Sequence, residues 1–137
     1  MHSDPRNVSA PGAFFGRRKG KALRTGQARL FETLLPSLCI DLQSSAPASL
    51  ATLFPNNARE VRLEIGFGGA EHLIAQAQAN PACGFIGVEP FLNGMAKALA
   101  AIDAGGLRNI RLHHGDATEL IAWLPDEPLL YDKLTAW

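Results

Sequence analysis

Glycines and carboxylates recur where three predicted strands end. One apolar strand ends in Glu64 and leads into a turn with Gly66 and Gly68, while Glu89 and Asp116 follow two further apolar segments. Such glycines let a ligand approach the backbone, and the helix that follows presents unpaired amides at its N-terminus. A carboxylate after the second strand is placed to accept hydrogen bonds from ribose hydroxyls. We therefore predict a nucleoside-cofactor site in which Glu89 contacts ribose, Asp116 contacts an adenine amino group and Glu64 faces a cationic group.

Two cofactors fit this outline, and the residue after the turn distinguishes them. A dinucleotide prefers the pattern G-x-G-x-x-G, but Glu71 stands at the third glycine position. A carboxylate in the first turn of the helix repels a pyrophosphate, whereas S-adenosylmethionine carries a sulfonium and an ammonium group and no phosphate. The residues favour S-adenosylmethionine over a dinucleotide. The simpler alternative is a set of turn glycines and solvated carboxylates.

Alternating strands and helices must position these residues. Apolar periodicity predicts strands over residues 61–66, 85–89 and 109–114, and helices over 70–79, 91–104 and 117–124. A further helix is predicted from about residue 26 to 34 and ended by Pro36, before a loop over 43–57. This order indicates an α/β fold with a parallel sheet and right-handed crossovers. Ligands of such sheets bind outside the carboxyl ends of the strands.

Composition narrows the class of protein. The chain has 137 residues, of which 47% are hydrophobic, and this suits one domain with a packed core. No apolar run approaches the ~20 residues of a membrane span, and the first residues lack a secretory signal pattern. Cys39 and Cys83 have neither the spacing nor the partners of a metal or disulfide site. We expect a cytoplasmic protein without a metal or a membrane anchor.

A net charge of zero conceals a basic arm. Residues 5–31 contain seven basic residues and no acid, whereas residues 32–137 contain twelve acids and six bases. A basic arm on an acidic body favours a polyanionic partner, although a solvated tail would look the same. The candidate RNA-binding residues are Arg17, Arg18, Lys19, Lys21 and Arg24.

Four segments resemble the bacterial tRNA (guanine-N7)-methyltransferases. They are LEIGFGGAEHL (63–73), FIGVEPFLNGMAKAL (85–99), GLRNIRLHHGDATEL (106–120) and the arm GRRKGKALRTGQ (16–27). The resemblance implies a Rossmann-like class I methyltransferase sheet, here the first half only with about three parallel strands, preceded by a basic arm and a helix. It also implies S-adenosylmethionine as cofactor and tRNA as partner. The cofactor-binding residues it implies are Glu64, Gly66, Gly68, Glu89, Asp116 and Ala117.

The chain departs from that family at two places. Ala70 replaces the last glycine of the turn, and its methyl group is expected to narrow the pocket. The family continues with a fourth strand and a P-D-P-W motif whose aspartate would fall beyond Trp137, so no catalytic residue is assigned. A C-terminally truncated chain of this kind is expected to show reduced or no methyl transfer and to leave its first strand at the edge of the sheet.

The expected organisation has three parts, with two alternatives in function. Residues 1–12 are expected to be flexible, 13–57 to form the arm, helix and linker, and 58–137 to form a partial S-adenosylmethionine-binding domain. The first alternative is a non-catalytic RNA-binding module with a degenerate methyltransferase domain. A small-molecule methyltransferase of the same fold is the second, and the basic arm argues against it.

Overall fold

A parallel sheet of four strands organises the chain. This computed structural model describes residues 23–124 and the backbone of residues 134–136. The strand order is β3-β2-β1-β4, with all neighbours parallel. The strands are β1 (Val61–Ile65), β2 (Gly84–Val88), β3 (Ile110–His113) and β4 (Leu134–Ala136). The predicted α/β class and the three predicted parallel strands are confirmed.

The short strand β4 was not predicted, and it changes the environment of β1. Its backbone pairs with β1 in a register that sets Val61 opposite Leu134. The expectation that β1 forms a sheet edge is therefore wrong, because β1 has a hydrogen-bonded neighbour on each side. The order 3-2-1-4 also reverses at β1, which makes its carboxyl end the topological switch point where ligands of doubly wound sheets bind.

Helices cover both faces of the sheet. They are α1 (Thr25–Thr33), α2 (Leu35–Leu38), α3 (Glu71–Ala79), α4 (Leu92–Gly105) and α5 (Ala117–Trp123), with a 3-10 helix over Leu50–Leu53. The prediction that Pro36 ends the helical segment is wrong. Pro36 lies in the first turn of α2, where its missing N–H is not needed. None of the described helices is long and apolar enough to cross a membrane.

The core has two layers because the strands alternate their side chains. Phe85, Ile110 and Leu112 face the layer with α3 and α4, against which apolar residues of α1 and α2 also pack. Val61, Leu63, Ile86 and Val88 face the other layer, with Leu120 of α5. That second layer includes Leu50 and Phe54, so the predicted loop at 43–57 supplies part of the core. Ile121 of α5 faces away from this layer and is 52% exposed.

Arg111 fastens the N-terminal elements to the sheet. Its guanidinium donates hydrogen bonds to the carbonyl oxygens of Leu38 at 2.9 Å, Cys39 at 2.6 Å and Leu53 at 2.7 Å. Burial lowers the pKa of this arginine. Cys39 also forms a parallel bridge to Leu112 on the outer side of β3. The end of α2 and the end of the 3-10 helix are thereby held against β3.

Candidate functional site

A tight turn joins β1 to α3 at the switch point. Gly66, Gly68 and Ala70 all have positive φ angles, at +70°, +60° and +71°. The N–H of Gly66 donates to the carbonyl of Val88 at 2.7 Å, so the turn begins in register with β2. Glycine tolerates this conformation, whereas alanine in the left-handed region costs about 1–2 kcal/mol. The turn is thus an irregular segment that exposes its backbone at the end of the sheet.

Glu89 anchors this turn to the end of β2. Its side chain is only 1% exposed. Oε1 accepts a hydrogen bond from the Gly68 N–H at 2.7 Å, and Oε2 accepts one from the Phe91 N–H at 3.0 Å. Gly68 and Glu89, which were both expected at this edge of the sheet, are in direct contact, and the carboxylate holds two loops together.

A small hollow of about 130 Å³ opens beside Glu89 and the turn. It is lined by Gly68, Gly69, Glu89, Phe91, Asn93, Gly94 and Lys97. Gly94 is packed so closely that a β-carbon there would collide with the carbonyl oxygen of Gly68. The sequence analysis missed the residues from α4. Asn93 and Gly94 precede Lys97 by four and three residues, which puts all three on one face of α4, and this spacing is a signal that could have identified them.

Glu64 lies on the α3 side of β1 and does not line that hollow. The Nδ1 atom of His72, in the first turn of α3, is 3.0 Å from Glu64 Oε1. The Glu64 side chain is 12% exposed, whereas that of His72 is 55% exposed. The predicted acidic residue is therefore at the strand end, but its described partner is a histidine that the sequence analysis had not assigned.

Asp116 caps α5 at the end of β3. Its N–H donates to Glu119 Oε1 at 2.9 Å, and His113 Nε2 is 3.1 Å from the same oxygen. Ala117 is the first residue of α5. The two residues stand on the predicted edge of the sheet, yet neither lines the hollow beside Glu89. The structure thus brings Gly68 and Glu89 together at the end of β2. Glu64 and Asp116 lie at the ends of β1 and β3, the strands on either side of β2.

Two further expectations concern Ala70 and the arm. Ala70 is 1% exposed and packs in the core layer with α3 and α4, so its methyl group does not narrow the hollow. Arg24 is exposed and flanks α1, where its N–H donates to Gln27 Oε1 at 3.1 Å. The other proposed RNA-binding residues, Arg17, Arg18, Lys19 and Lys21, lie outside the described residues.

A larger hollow of about 430 Å³ lies at the opposite end of the sheet. It is bounded by the start of β2 and β3 and by the ends of α3 and α4, where Pro81, Leu107 and Arg108 line it. None of the described residues that line it is a carboxylate, and ligands of parallel sheets bind at the carboxyl ends of strands. The smaller hollow beside Glu89 is therefore the better candidate site.

The strand order, the left-handed glycine turn at the switch point and the buried carboxylate after β2 together define a Rossmann-like domain. Comparison with known proteins gives the family. Residues 58–130 match the sequence model of the family described as "Putative methyltransferase". The chain belongs to this methyltransferase family.

Curated relatives cover most of the chain. A tRNA (guanine-N(7)-)-methyltransferase of Rhodopseudomonas palustris (strain BisA53) is 59% identical over 118 residues, 86% of this chain and 47% of the relative. Proteins of the same name from Rhizobium meliloti and Bradyrhizobium diazoefficiens are 57% and 55% identical, over 90% and 93% of this chain and 53% and 54% of the relatives. The chain spans about half the length of the curated relatives it matches.

Proposed function

We propose that the chain acts in tRNA (guanine-N7) methylation and binds S-adenosylmethionine at the turn between β1 and α3. The observation that carries the cofactor assignment is Glu89, which is held by the amides of Gly68 and Phe91 at the wall of the hollow. The reaction is proposed from the names of the relatives. In the expected organisation, residues 58–137 supply the cofactor site and residues 13–57 supply the basic arm, the helix and the linker.

Glu89 retains the capacity to hold a ribose. An ionised carboxylate offers about four lone-pair positions, and two of them are used by the backbone amides. The remaining two suit the 2′ and 3′ hydroxyls of a ribose. The hollow itself is smaller than the ~300–1,000 Å³ of typical ligand pockets. The rest of the ligand would therefore extend along the edge of the sheet, towards the ends of β1 and β3.

Glu71 supports S-adenosylmethionine over a dinucleotide. It is the first residue of α3, and its carboxylate folds back over Gly69. A pyrophosphate would occupy the N-terminus of that helix, where this negative charge opposes it. Glu64, Glu71 and Glu89 together make the turn acidic, which suits a ligand that carries a sulfonium and an ammonium group. Gly66 and Gly68 let a ligand approach the backbone, and the acids beside them attract the two cationic groups of S-adenosylmethionine.

Methyl transfer to guanine N7 does not require a protein side chain to remove a proton. N7 carries a lone pair and no proton, so no general base is needed to expose it. Bound S-adenosylmethionine would supply a methyl group activated on a sulfonium. The chain's contribution is alignment, which the buried Glu89 and the turn provide by fixing the ribose. Asp116 would accept a hydrogen bond from the adenine amino group, with Ala117 beside it.

The arm provides the contacts to tRNA. Arg17, Arg18, Lys19, Lys21 and Arg24 would contact phosphates and release counterions, so tRNA binding should weaken steeply with salt. These contacts position the tRNA and carry no sequence information by themselves.

Calorimetry of the 137-residue chain tests the cofactor assignment. We expect S-adenosylmethionine to bind and NAD⁺ to give no heat, because the acidic turn repels a pyrophosphate. Incubation with unmodified tRNA, followed by nucleoside mass spectrometry, tests the reaction by the appearance of 7-methylguanosine. Binding of tRNA with no heat from S-adenosylmethionine would contradict the proposal and favour a non-catalytic RNA-binding module.

A further inference from the structure

The strand-end carboxylate Glu64 has a built-in partner. His72 Nδ1 lies 3.0 Å from Glu64 Oε1, and His72 is the one residue in the described ranges that hydrogen-bonds the Glu64 side chain. We propose that His72 is a positioning residue, which fixes the Glu64 carboxylate so that its second oxygen meets the ammonium group of S-adenosylmethionine. This inference rests on the proposed function, and it adds a residue that acts through Glu64.

The geometry requires a particular form of the histidine. Glu64 Oε1 accepts, so Nδ1 of His72 must carry the proton, and in the neutral ring Nε2 is then the bare nitrogen. The His72 side chain, which is 55% exposed, lies over the Glu64 side chain, which is 12% exposed. Because Nδ1 is the nitrogen nearer the main chain, the amide of an asparagine can reach the same oxygen. We therefore expect His72→Asn to preserve the contact with Glu64 and His72→Ala to remove it.

Neighbouring charged groups are engaged elsewhere. Arg62, two residues before Glu64 and on the same side of β1, donates to Glu60 Oε1 at 2.7 Å and lies 5.8 Å from the centroid of the Phe85 ring. The carboxylate of Glu71, next to His72 in sequence, lies over Gly69. In the described part of the chain, the position of the Glu64 carboxylate therefore depends on His72.

Holding Glu64 in place has a consequence for affinity. A glutamate side chain has three rotatable bonds, and fixing a rotamer-rich side chain on binding raises Kd by a factor of roughly two to ten. His72 orders the carboxylate before the ligand arrives, so its removal should raise Kd by that factor. Loss of the carboxylate itself, in Glu64→Gln, should weaken binding more.

The first experiment reads the histidine without any ligand. Two-dimensional ¹H–¹⁵N spectra of the imidazole at pH 8 distinguish the two neutral tautomers. We expect the Nδ1–H form for His72 in the wild-type chain and a return to the Nε2–H form, which free histidine prefers, in Glu64→Ala. A wild-type His72 with its proton on Nε2 would overturn the inference.

The second experiment measures S-adenosylmethionine binding to the 137-residue chain by calorimetry. His72→Ala should raise Kd by roughly two- to ten-fold, His72→Asn should restore the wild-type value, and Gln78→Ala, an exposed change on the same helix, should have no effect. Equal or tighter binding by His72→Ala would overturn the inference, and so would failure of His72→Asn to restore affinity. No binding by the wild type would instead reject the proposed function, while the tautomer result would still report the contact.

Discussion

Replacing Glu89 by glutamine tests whether this carboxylate holds the cofactor turn. The change keeps the size of the side chain but leaves one oxygen and one NH₂ group where two oxygens now accept hydrogen bonds. Gly68 and Phe91 both present N–H donors, at 2.7 Å and 3.0 Å. A glutamine can satisfy one of them, and its NH₂ group must face the other. Glu89 is 1% exposed, so the glutamine side chain stays packed against both donors.

The size of the effect follows from these contacts. A hydrogen bond to a charged group contributes about 1.5–3 kcal/mol, and leaving a buried N–H without a partner costs about 1–3 kcal/mol. Removing a buried negative charge works in the opposite direction, but α4 begins at Leu92 and its N-terminus already offsets part of that burial cost. We expect Glu89→Gln to lower the free energy of unfolding by about 1–3 kcal/mol.

Thermal and urea unfolding provide the assay. At roughly 3–5 °C per kcal/mol for a chain of this size, Tm should fall by about 3–15 °C. Glu32→Gln, the same change at an exposed position of α1, should stay within about 0.5 kcal/mol of the wild type. S-adenosylmethionine binding should be lost in Glu89→Gln and kept in Glu32→Gln. If Glu89→Gln melts with the wild type and binds the ligand equally well, the assignment of Glu89 to both roles is refuted.

Three further changes, one at the site and two elsewhere in the fold, test packing and charge. Gly94→Ala should lower the free energy of unfolding by about 1–3 kcal/mol in urea and weaken S-adenosylmethionine binding, because the new β-carbon meets the backbone of the turn. The control is Gly26→Ala, whose new β-carbon meets no atom within 4 Å. It should raise the free energy of unfolding by up to about 1 kcal/mol. Arg111→Lys should destabilise by about 2–4 kcal/mol, since one ammonium cannot reach three carbonyls; an unchanged urea midpoint would contradict this. The hydrogen bond from Arg62 lowers the pKa of Glu60 from its ordinary 4.5, so the stability difference between the wild type and Glu60→Gln should be present above that pH and vanish as pH falls through the lowered pKa. Partial exposure limits that difference to about 0.5 kcal/mol, and a difference that grows in acid would show the opposite sign of coupling.

Local patterns were sufficient for most of the fold. The strands at 61–65, 84–88 and 110–113 are short apolar runs bounded by turn residues, and α4 repeats its buried residues Met95, Leu99 and Ile102 at helical spacing. These signals lie within a few residues of one another, so they can be read without knowing the tertiary structure. Gly68 and Glu89 are 21 residues apart, but their place at one edge of the sheet was predictable because parallel strands bring their carboxyl ends together.

Features that depend on distant contacts were not predictable. Strand β4 has three residues and is a strand because it pairs with β1, more than seventy positions earlier. Leu50 and Phe54 read as loop residues, but they are buried because Arg111 fastens that segment to β3 from more than fifty residues away. The His72 contact to Glu64 spans only eight residues, but it joins a helix to a strand across the turn, and neither residue's type alone indicates it.

In the proposed function, the acidic turn attracts a cationic cofactor while the basic arm attracts an anionic RNA in the same complex. Glu64, Glu71 and Glu89 favour a cationic ligand at the edge of the sheet, and the same field repels the phosphates of an RNA that must approach the methyl group. Cations outside the turn are therefore required to hold the RNA, and residues 5–31 carry seven of them without an acid. Because the turn is partly buried and the arm must bind phosphates in solvent, salt should screen the RNA contact far more than the cofactor contact.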